Sequence, residues 1–239
     1  MPELGFILDM DGTLVDSTGI IRRIQEEIMK EFNIVLTPER TQELENFAES
    51  MFQENYSTRL AIKIMFTLMK EVGLNFRQRI KALIIAGKLY LKELSQLTLY
   101  DGVIELIDFF EKNSYEYVIV TNSSDKAVKR YLKNNPEFYK KMKPLIISKD
   151  SVKHVKPHSE SFELASKKMG LSSDKIVVVG DTKYDILFAQ ANKAHSIGVL
   201  TGIYTRELLE QYNPDFIFDS AADIPKNIES ILQKIKAMP

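Results

Sequence analysis

The stretch Leu4-Gly5-Phe6-Ile7-Leu8-Asp9-Met10-Asp11-Gly12-Thr13-Leu14-Val15 decides how this chain reads. An apolar run ends in one carboxylate and passes into Met10-Asp11-Gly12-Thr13, a turn signal. That pattern predicts a buried strand with Asp9 and Asp11 just past its end. From residue 98 onward similar runs return: Tyr115-Glu-Tyr-Val-Ile-Val120, Pro144-Leu-Ile-Ile147, Lys175-Ile-Val-Val-Val179, Ser196-Ile-Gly-Val-Leu200 and Phe216-Ile-Phe218. Helical patterns separate them, among them Val103 to Phe110, Ser159 to Met169 and Tyr184 to Ala194. Strand-helix alternation with strands apolar on both faces predicts an α/β fold whose parallel sheet is covered on each side. Residues 1–16 then supply one strand of a sheet that resumes at 98.

Between 17 and 97 the period changes. Ile20, Ile21, Ile24, Ile28 and Phe32 recur at helical spacing, as do Leu44, Phe47, Ala48, Met51 and Phe52. Leu60, Ile64, Met65, Leu68 and Met69 follow, then Ile80, Leu83, Ile84, Leu91 and Leu94. The spacing predicts an insertion of about four helices whose apolar and Met stripes pack against one another.

Composition narrows the function. The chain has 239 residues, 44% of them hydrophobic, with 32 Lys+Arg against 33 Asp+Glu and a formal net charge of −1. No strong positive field exists to hold a phosphate backbone, so no nucleic-acid partner is expected. No apolar run approaches the roughly 20 residues of a bilayer span, so no membrane partner is expected either. The start, Met-Pro-Glu, lacks the basic-then-apolar pattern of a signal peptide, and a cytoplasmic location is expected. The absence of Cys removes disulfides, thiolate metal sites and cysteine nucleophiles. Nothing in the sequence sets an oligomeric state.

In open parallel sheets ligands bind beyond the carboxyl ends of the strands. Asp9 and Asp11 follow the first strand, Thr121 and Asn122 the second, and Gly180, Asp181, Thr182 and Asp185 the run at 176–179. Lys156-Pro157 sits ahead of a helix. Brought together, these give four carboxylates, one ammonium and a hydroxyl, a self-repelling cluster that a divalent cation would neutralise. With no Cys and only His154, His158 and His195, a hard oxygen-seeking ion of the Mg²⁺ type fits best. Such an ion beside hydroxyl, amide and lysine donors is suited to a phosphoryl group, which points to phosphoryl transfer.

Asp9-Met-Asp-Gly-Thr-Leu-Val15, Val118-Ile-Val-Thr-Asn122, Lys156-Pro157 and Gly180-Asp-Thr-Lys-Tyr-Asp185 resemble, in order and approximate spacing, the four motifs of the haloacid dehalogenase-like phosphohydrolases. The likeness runs over essentially the whole chain. It implies a Rossmann-like core from residues 1–16 and 98–239, with the helical insertion at 17–97 as a mobile cap. It also implies that Asp9 is a nucleophile that becomes phosphorylated, and that Asp11 serves as general acid and then general base. By the same likeness Mg²⁺ would be held by Asp9, the backbone carbonyl of Asp11 and Asp181, with Asp185 as a ligand or as support for one. Thr121 and the amide of Asn122 would hold phosphoryl oxygens at a helix start. Lys156 would offset charge between Asp9 and the phosphoryl group and counts with both the catalytic and the phosphate-binding residues. Thr121 could also open a helix cap, and Asp181 could be a helix N-cap at the same time.

The expected reaction is Mg²⁺-dependent hydrolysis of a small phosphorylated metabolite. Within the family the resemblance is to the phosphoglycolate phosphatase group and its neighbours, with pyrophosphatases and phosphomutases of the β-phosphoglucomutase type as alternatives. A non-catalytic binding protein on the same fold is the alternative from another class. The insertion holds 12 basic and 10 acidic residues, a mildly cationic lid that suits an anionic substrate. Asp16, Ser17 and Thr18 at the first crossing and Tyr100-Asp-Gly102 near the return are candidate hinges. Asn192-Lys-Ala-His195 stands where the family commonly has Ala-Gly, a departure that touches local loop shape.

Overall fold

The computed structural model describes residues 4–37, 39–41, 43, 44, 47, 58–94 and 96–237. Six strands form one sheet: β1 (Gly5–Leu8), β2 (Glu116–Val120), β3 (Ile146–Ile147), β4 (Ile176–Gly180), β5 (His195–Val199) and β6 (Phe216–Phe218). Their spatial order is β3-β2-β1-β4-β5-β6, and every neighbouring pair is parallel. The expected α/β architecture is therefore the observed one. Leu8 aligns with Ile119 on one side and Val179 on the other, so the carboxyl ends of β1, β2 and β4 lie side by side. After β1 the chain builds outward through β2 and β3, then returns to place β4 on the opposite flank. Ligand crevices form at such a reversal of strand order.

Both faces of the sheet are buried, which is why its strands read as continuous apolar runs. Toward one face Ile7, Val118, Val120, Ile176 and Val178 pack with Phe162, Ala165, Met169, Phe188 and Ala189. These last come from α7 (Glu160–Met169) and α8 (Lys183–Ala191). Phe6, one position out of phase with Ile7, stacks on Phe110 of α4 (Val103–Lys112) at 4.4 Å between ring centroids, with Tyr115 edge-on at 5.9 Å. The alternation is the period of two that a strand imposes. Three further helices, α5 (Asp125–Tyr131), α6 (Pro136–Met142) and α9 (Arg206–Glu210), and the C-terminal α10 (Ile224–Ala237) complete this part.

Local chemistry trims two of the expected elements. Pro144 and Leu145 belong to a short helical turn, and only Ile146 and Ile147 pair with β2; proline has no N–H to give a ladder. The helix expected over 184–194 ends at Ala191, and Lys193 takes a φ of 56° on the way into β5. His195 then opens β5 as a buried residue.

The chain divides into two compact units, Met1–Gly19 with Leu94–Pro239 and Ile20–Glu93. In the second run most of α1 (Thr18–Glu31), then α2 (Thr58–Glu71) and most of α3 (Phe76–Leu94). Ile20, Ile24 and Ile28 are buried at the expected spacing, and Arg23 binds Glu93 at 2.7 Å. Of the helix expected over Leu44 to Phe52, the positions Ala48, Met51 and Phe52 lie outside the described residues. The packing face of α3 needs correction. Ile84 and Leu91 are 55% and 68% exposed and Ile80 is exposed too, whereas Ala82 and Ala86 are buried; of the expected row Leu94 is buried. Two residues are about 200° around a helix, so the bulky row 80, 84, 91 and the small row 82, 86 point opposite ways. Among the described residues no helix is long and apolar enough to cross a membrane.

A partly buried polar cluster ties β5 to the edge of the sheet. The Asp215 carboxylate accepts the Ser196 amide at 2.9 Å and faces His195 at 3.6 Å and Lys234 at 3.8 Å. Burial pushes this carboxyl up, but the His195 ring, the Ser196 amide and the Lys234 charge together outweigh it and hold the group below its ordinary value. A depressed folded value contributes stability that is full above the unfolded pKa, about 3.9, and is lost as pH falls through the folded one. Asp215→Asn should therefore lower Tm at about pH 7, and the gap to the parent should close as pH drops from about 5 to about 3. Thermal unfolding followed by circular dichroism across that range checks it; a pH-independent gap would contradict the assignment.

Candidate functional site

The turn after β1 sets the site. Asp9 continues the ladder, its amide donating to the Val179 carbonyl at 2.9 Å. The chain then coils, with Leu14 and Val15 amides both donating to the Met10 carbonyl at 3.0 Å. Gly12 sits at φ 78°, the left-handed region that a side chain disfavours. The Thr201 hydroxyl holds the Gly12 carbonyl at 2.6 Å from across the sheet end. The outcome is that Asp9 and Asp11, two residues apart, face different partners.

Asp9 joins a buried cluster. Lys156 Nζ donates to Asp9 Oδ1 at 2.5 Å and to Asp185 Oδ1 at 2.6 Å, and Lys156 is only 6% exposed. Carboxylate oxygens of Asp9, Asp181 and Asp185 all lie within 4.8 Å of one another. Three carboxylates against one ammonium leave two negative charges uncompensated, and the electrostatics register it. Burial pushes the Asp9 carboxyl up to about 7; Lys156 opposes this and Asp185 and Asp11 add to it. Asp181 is raised well above its ordinary value, by burial first and then by Asp9 and Asp185. Burial pulls the Lys156 ammonium down, but Asp185 and Asp9 outweigh it and keep the group above its ordinary value.

The trio fits a hard divalent cation. All its donors are carboxylate oxygens, the ligand type such ions prefer. Asp181 Oδ2 is buried without a hydrogen-bond partner, and an orphaned buried acceptor of this kind needs a positive partner. Asp181 Oδ1 takes one bond, from the Thr13 hydroxyl at 3.5 Å.

Glycines shape the cluster: Gly180, which opens the last motif, and Gly202, which no motif includes. A Cβ on Gly202 would lie 1.7 Å from Asp181 Oδ2, and one on Gly180 would lie 2.1 Å from Asp185 Cγ. Each carboxylate occupies the space that a side chain would take. Asp185 is further fixed by Thr182, whose hydroxyl donates to Oδ2 at 2.8 Å. Thr182 is the N-cap of α8. The alternative of Asp181 as N-cap is therefore not realised, and its carboxylate is left to the cluster.

Asp11 stands apart from the trio. Its Oδ2 accepts the Ser123 hydroxyl at 2.8 Å and the Thr121 hydroxyl at 3.2 Å. Ser123 was not anticipated; a hydroxyl two residues past Thr121 in the same loop was the available signal. Thr121 is buried just past the end of β2, but α5 starts only at Asp125, with Ser124 as its N-cap. The expected placement of Thr121 at a helix start is thus corrected: the loop Asn122-Ser123-Ser124 intervenes. The Asn122 side chain clasps the backbone of Lys156, accepting its N–H at 3.0 Å and donating to its carbonyl at 3.2 Å. That clasp spans two loops and is invisible in sequence. His154 and His158 are exposed, on the loop that carries Lys156.

The family model described as haloacid dehalogenase-like hydrolase matches residues 6–199. Among curated proteins, the chain is 31% identical over 127 residues to pyrophosphatase PpaX of Bacillus cereus strain AH820, which is 52% of this chain and 57% of that protein. The chain thus spans little more than half the length of this relative. Solved structures with the same fold include a predicted phosphoglycolate phosphatase from Haemophilus somnus 129PT, with TM-score 0.65, 24% identity, and 95% of this chain and 98% of that one covered. Another is a haloacid dehalogenase family hydrolase from Deinococcus radiodurans R1 with bound phosphate and sodium, with TM-score 0.72, 17% identity, and 98% and 97% covered.

Gly202→Ala forces a methyl group onto Oδ2 of the buried Asp181. It should fold, and it should weaken Mn²⁺ binding by about tenfold or more, the scale of losing a ligand's support. Paramagnetic relaxation of water protons during a Mn²⁺ titration measures this. Parental affinity in the variant would show that the contact does not constrain Asp181.

Proposed function

The chain belongs to the haloacid dehalogenase-like hydrolase family, and on that premise we propose that it is a Mg²⁺-dependent phosphatase that acts on a small phosphorylated metabolite through an aspartyl-phosphate. The observation that carries this reading is the division between two carboxylates on one turn. Asp9 lies buried within the cation-suited trio and against Lys156, while Asp11 is held outside it by two hydroxyls. A nucleophile and a general acid need different surroundings of this kind.

Asp9, Asp181 and Asp185, with the backbone carbonyl of Asp11, are the groups that would hold Mg²⁺. Bound there, the ion would supply positive charge that favours ionised Asp9 and a phosphoryl group beside it. Asp9 attacks phosphorus, forming an O–P bond as the bond to the leaving oxygen breaks, and Asp11 in its protonated form delivers the proton to that oxygen. Asp11, now a carboxylate, takes a proton from the water that attacks the aspartyl-phosphate, and the Asp9 O–P bond breaks to release inorganic phosphate. Lys156 stays protonated between Asp9 and Asp185 and offsets the charge of the incoming group. Thr121 and the amide of Asn122 orient the phosphoryl oxygens. Residues 17–97 are the proposed cap domain, with Asp16 to Thr18 and Tyr100 to Gly102 as the crossings.

Phosphoglycolate is the first substrate to test. Inorganic pyrophosphate is the second reading, favoured by the likeness to pyrophosphatase PpaX over 127 residues. Hexose phosphates complete the panel and separate hydrolysis from phosphoryl transfer to a sugar phosphate.

Hydrolysis of p-nitrophenyl phosphate should require Mg²⁺ and vanish in Asp9→Asn, and Asp11→Asn should be slower by about 10²–10⁴-fold. Equally negligible rates for the parent with and without Mg²⁺ would overturn the reading. Fluoroberyllate, a mimic of phosphoryl on a carboxylate, should inhibit the parent at millimolar concentration. Full activity in its presence would count against a covalent step.

A further inference from the structure

The loop that carries Lys156 inward also carries a second, outward-facing set of metal-type donors. His154 and His158 flank Lys156, and Glu160 opens α7. The turn is tight, with the His158 amide donating to the Val155 carbonyl at 3.0 Å. It brings the two imidazole rings together at 4.5 Å between centroids, 31° from parallel. One ring nitrogen from each histidine and a carboxylate oxygen of Glu160 all lie within 4.8 Å of one another.

Glu160 is held in place without any ion. Its Oε1 accepts the Lys153 amide at 2.9 Å, and its Oε2 accepts the His154 amide at 3.0 Å and lies 3.1 Å from His154 Nδ1. The Lys153 amide is the largest of several donors that hold its carboxyl below the ordinary range, burial opposing them. Glu160 is thus an anion across the physiological range. In a neutral His154 ring the Nδ1 proton points at Glu160, which puts the lone pair on Nε2. For Glu160 and His154 to share one ion, the ring proton moves to Nε2 and the Nδ1 lone pair, 3.1 Å from Glu160 Oε2, faces the metal, so a metal bond replaces this hydrogen bond. His158 Nδ1 accepts the Glu160 amide at 3.2 Å. A metal would take that nitrogen, or take Nε2 after the ring proton moves, and either way a metal bond replaces the hydrogen bond.

We propose that His154, His158 and Glu160 form a binding site for a transition-metal ion of the Zn²⁺ class, distinct from the carboxylate trio. The donor chemistry separates the two. Two imidazoles and one carboxylate suit Zn²⁺, Cu²⁺ or Ni²⁺, whereas three carboxylates suit Mg²⁺. Tetrahedral Zn²⁺ with bonds of about 2.0–2.2 Å spaces its ligand atoms about 3.3–3.5 Å apart, and His154 Nδ1 and Glu160 Oε2, at 3.1 Å, already stand near that spacing. The His154 side chain is 62% exposed. Water completes the coordination, and solvent provides the entry path. Lys156, between the two histidines in sequence, has its backbone pinned by Asn122.

The test is a Zn²⁺ titration of the full chain in excess Mg²⁺ against a chromophoric chelator, with imidazole nitrogen resonances followed by NMR. Zn²⁺ captured by the trio is identified by repeating the titration in Asp181→Asn. The expected result is one Zn²⁺ per chain that Mg²⁺ does not displace, shifts at the ring nitrogens of His154 and His158, and an affinity loss of about tenfold or more in His154→Ala or His158→Ala. Parental affinity in the double histidine variant, or ring nitrogens that do not move in the unmodified chain, would overturn the proposal. Neither readout involves turnover, so the result stands apart from the phosphatase reading.

Discussion

One ammonium shared by buried carboxylates is the constraint on which the rest of the structure rests. Lys156 reaches Asp9 and Asp185 at 2.5 and 2.6 Å, in a place where all three side chains are nearly sealed from solvent. Burying charge is costly unless partners are close and well oriented, and breaking such a set is costlier than never building it. Asp181, 1% exposed and with one oxygen unpartnered, adds a third carboxylate to the same space. The fold therefore concentrates negative charge beyond what its own lysine offsets, which is a poor arrangement for a static core and a suitable one for receiving a cation and an anion together.

Holding that arrangement occupies residues beyond the carboxylates and the lysine themselves. Asn122 clasps the peptide of Lys156 from both sides, Thr182 steadies Asp185, and the Thr201 hydroxyl fixes the turn at Gly12. Gly180 and Gly202 serve by having no side chain, since the carboxylates of Asp185 and Asp181 fill the space beside them. Site precision here comes from elements that end side by side. The strands β1, β2 and β4 are adjacent and in register, so the residues that follow them converge without any long loop.

How far the sequence could be read follows from how local each signal was. Strands buried on both faces stand out as apolar runs, and all six were anticipated within a residue or two. Helix faces were harder where apolar residues stand on both sides of a helix. Along α3 the row Ile80, Ile84 and Leu91 looked like the packing face, but the small residues Ala82 and Ala86 are the buried ones. Hydrophobicity marks a face only when its opposite is polar. Thr121 was placed at a helix start from its position after a strand, and the intervening loop, capped at Ser124, had no signal strong enough to show it.

The sequence by itself determined the alternation of strands and helices, the order of the carboxylates along the chain and the lack of any softer ligand from cysteine. These depend on residue type and spacing, which are local properties. Tertiary structure alone decided which carboxylates meet. It put Asp9, Asp181 and Asp185 in one cluster and turned Asp11 toward Ser123 and Thr121, although Asp9 and Asp11 are two residues apart and Asp9 and Asp181 are separated by most of the chain. The physical reason is that strand order and register, set by burial of a sheet on both faces, fix which ends are neighbours, and sequence distance has no part in that.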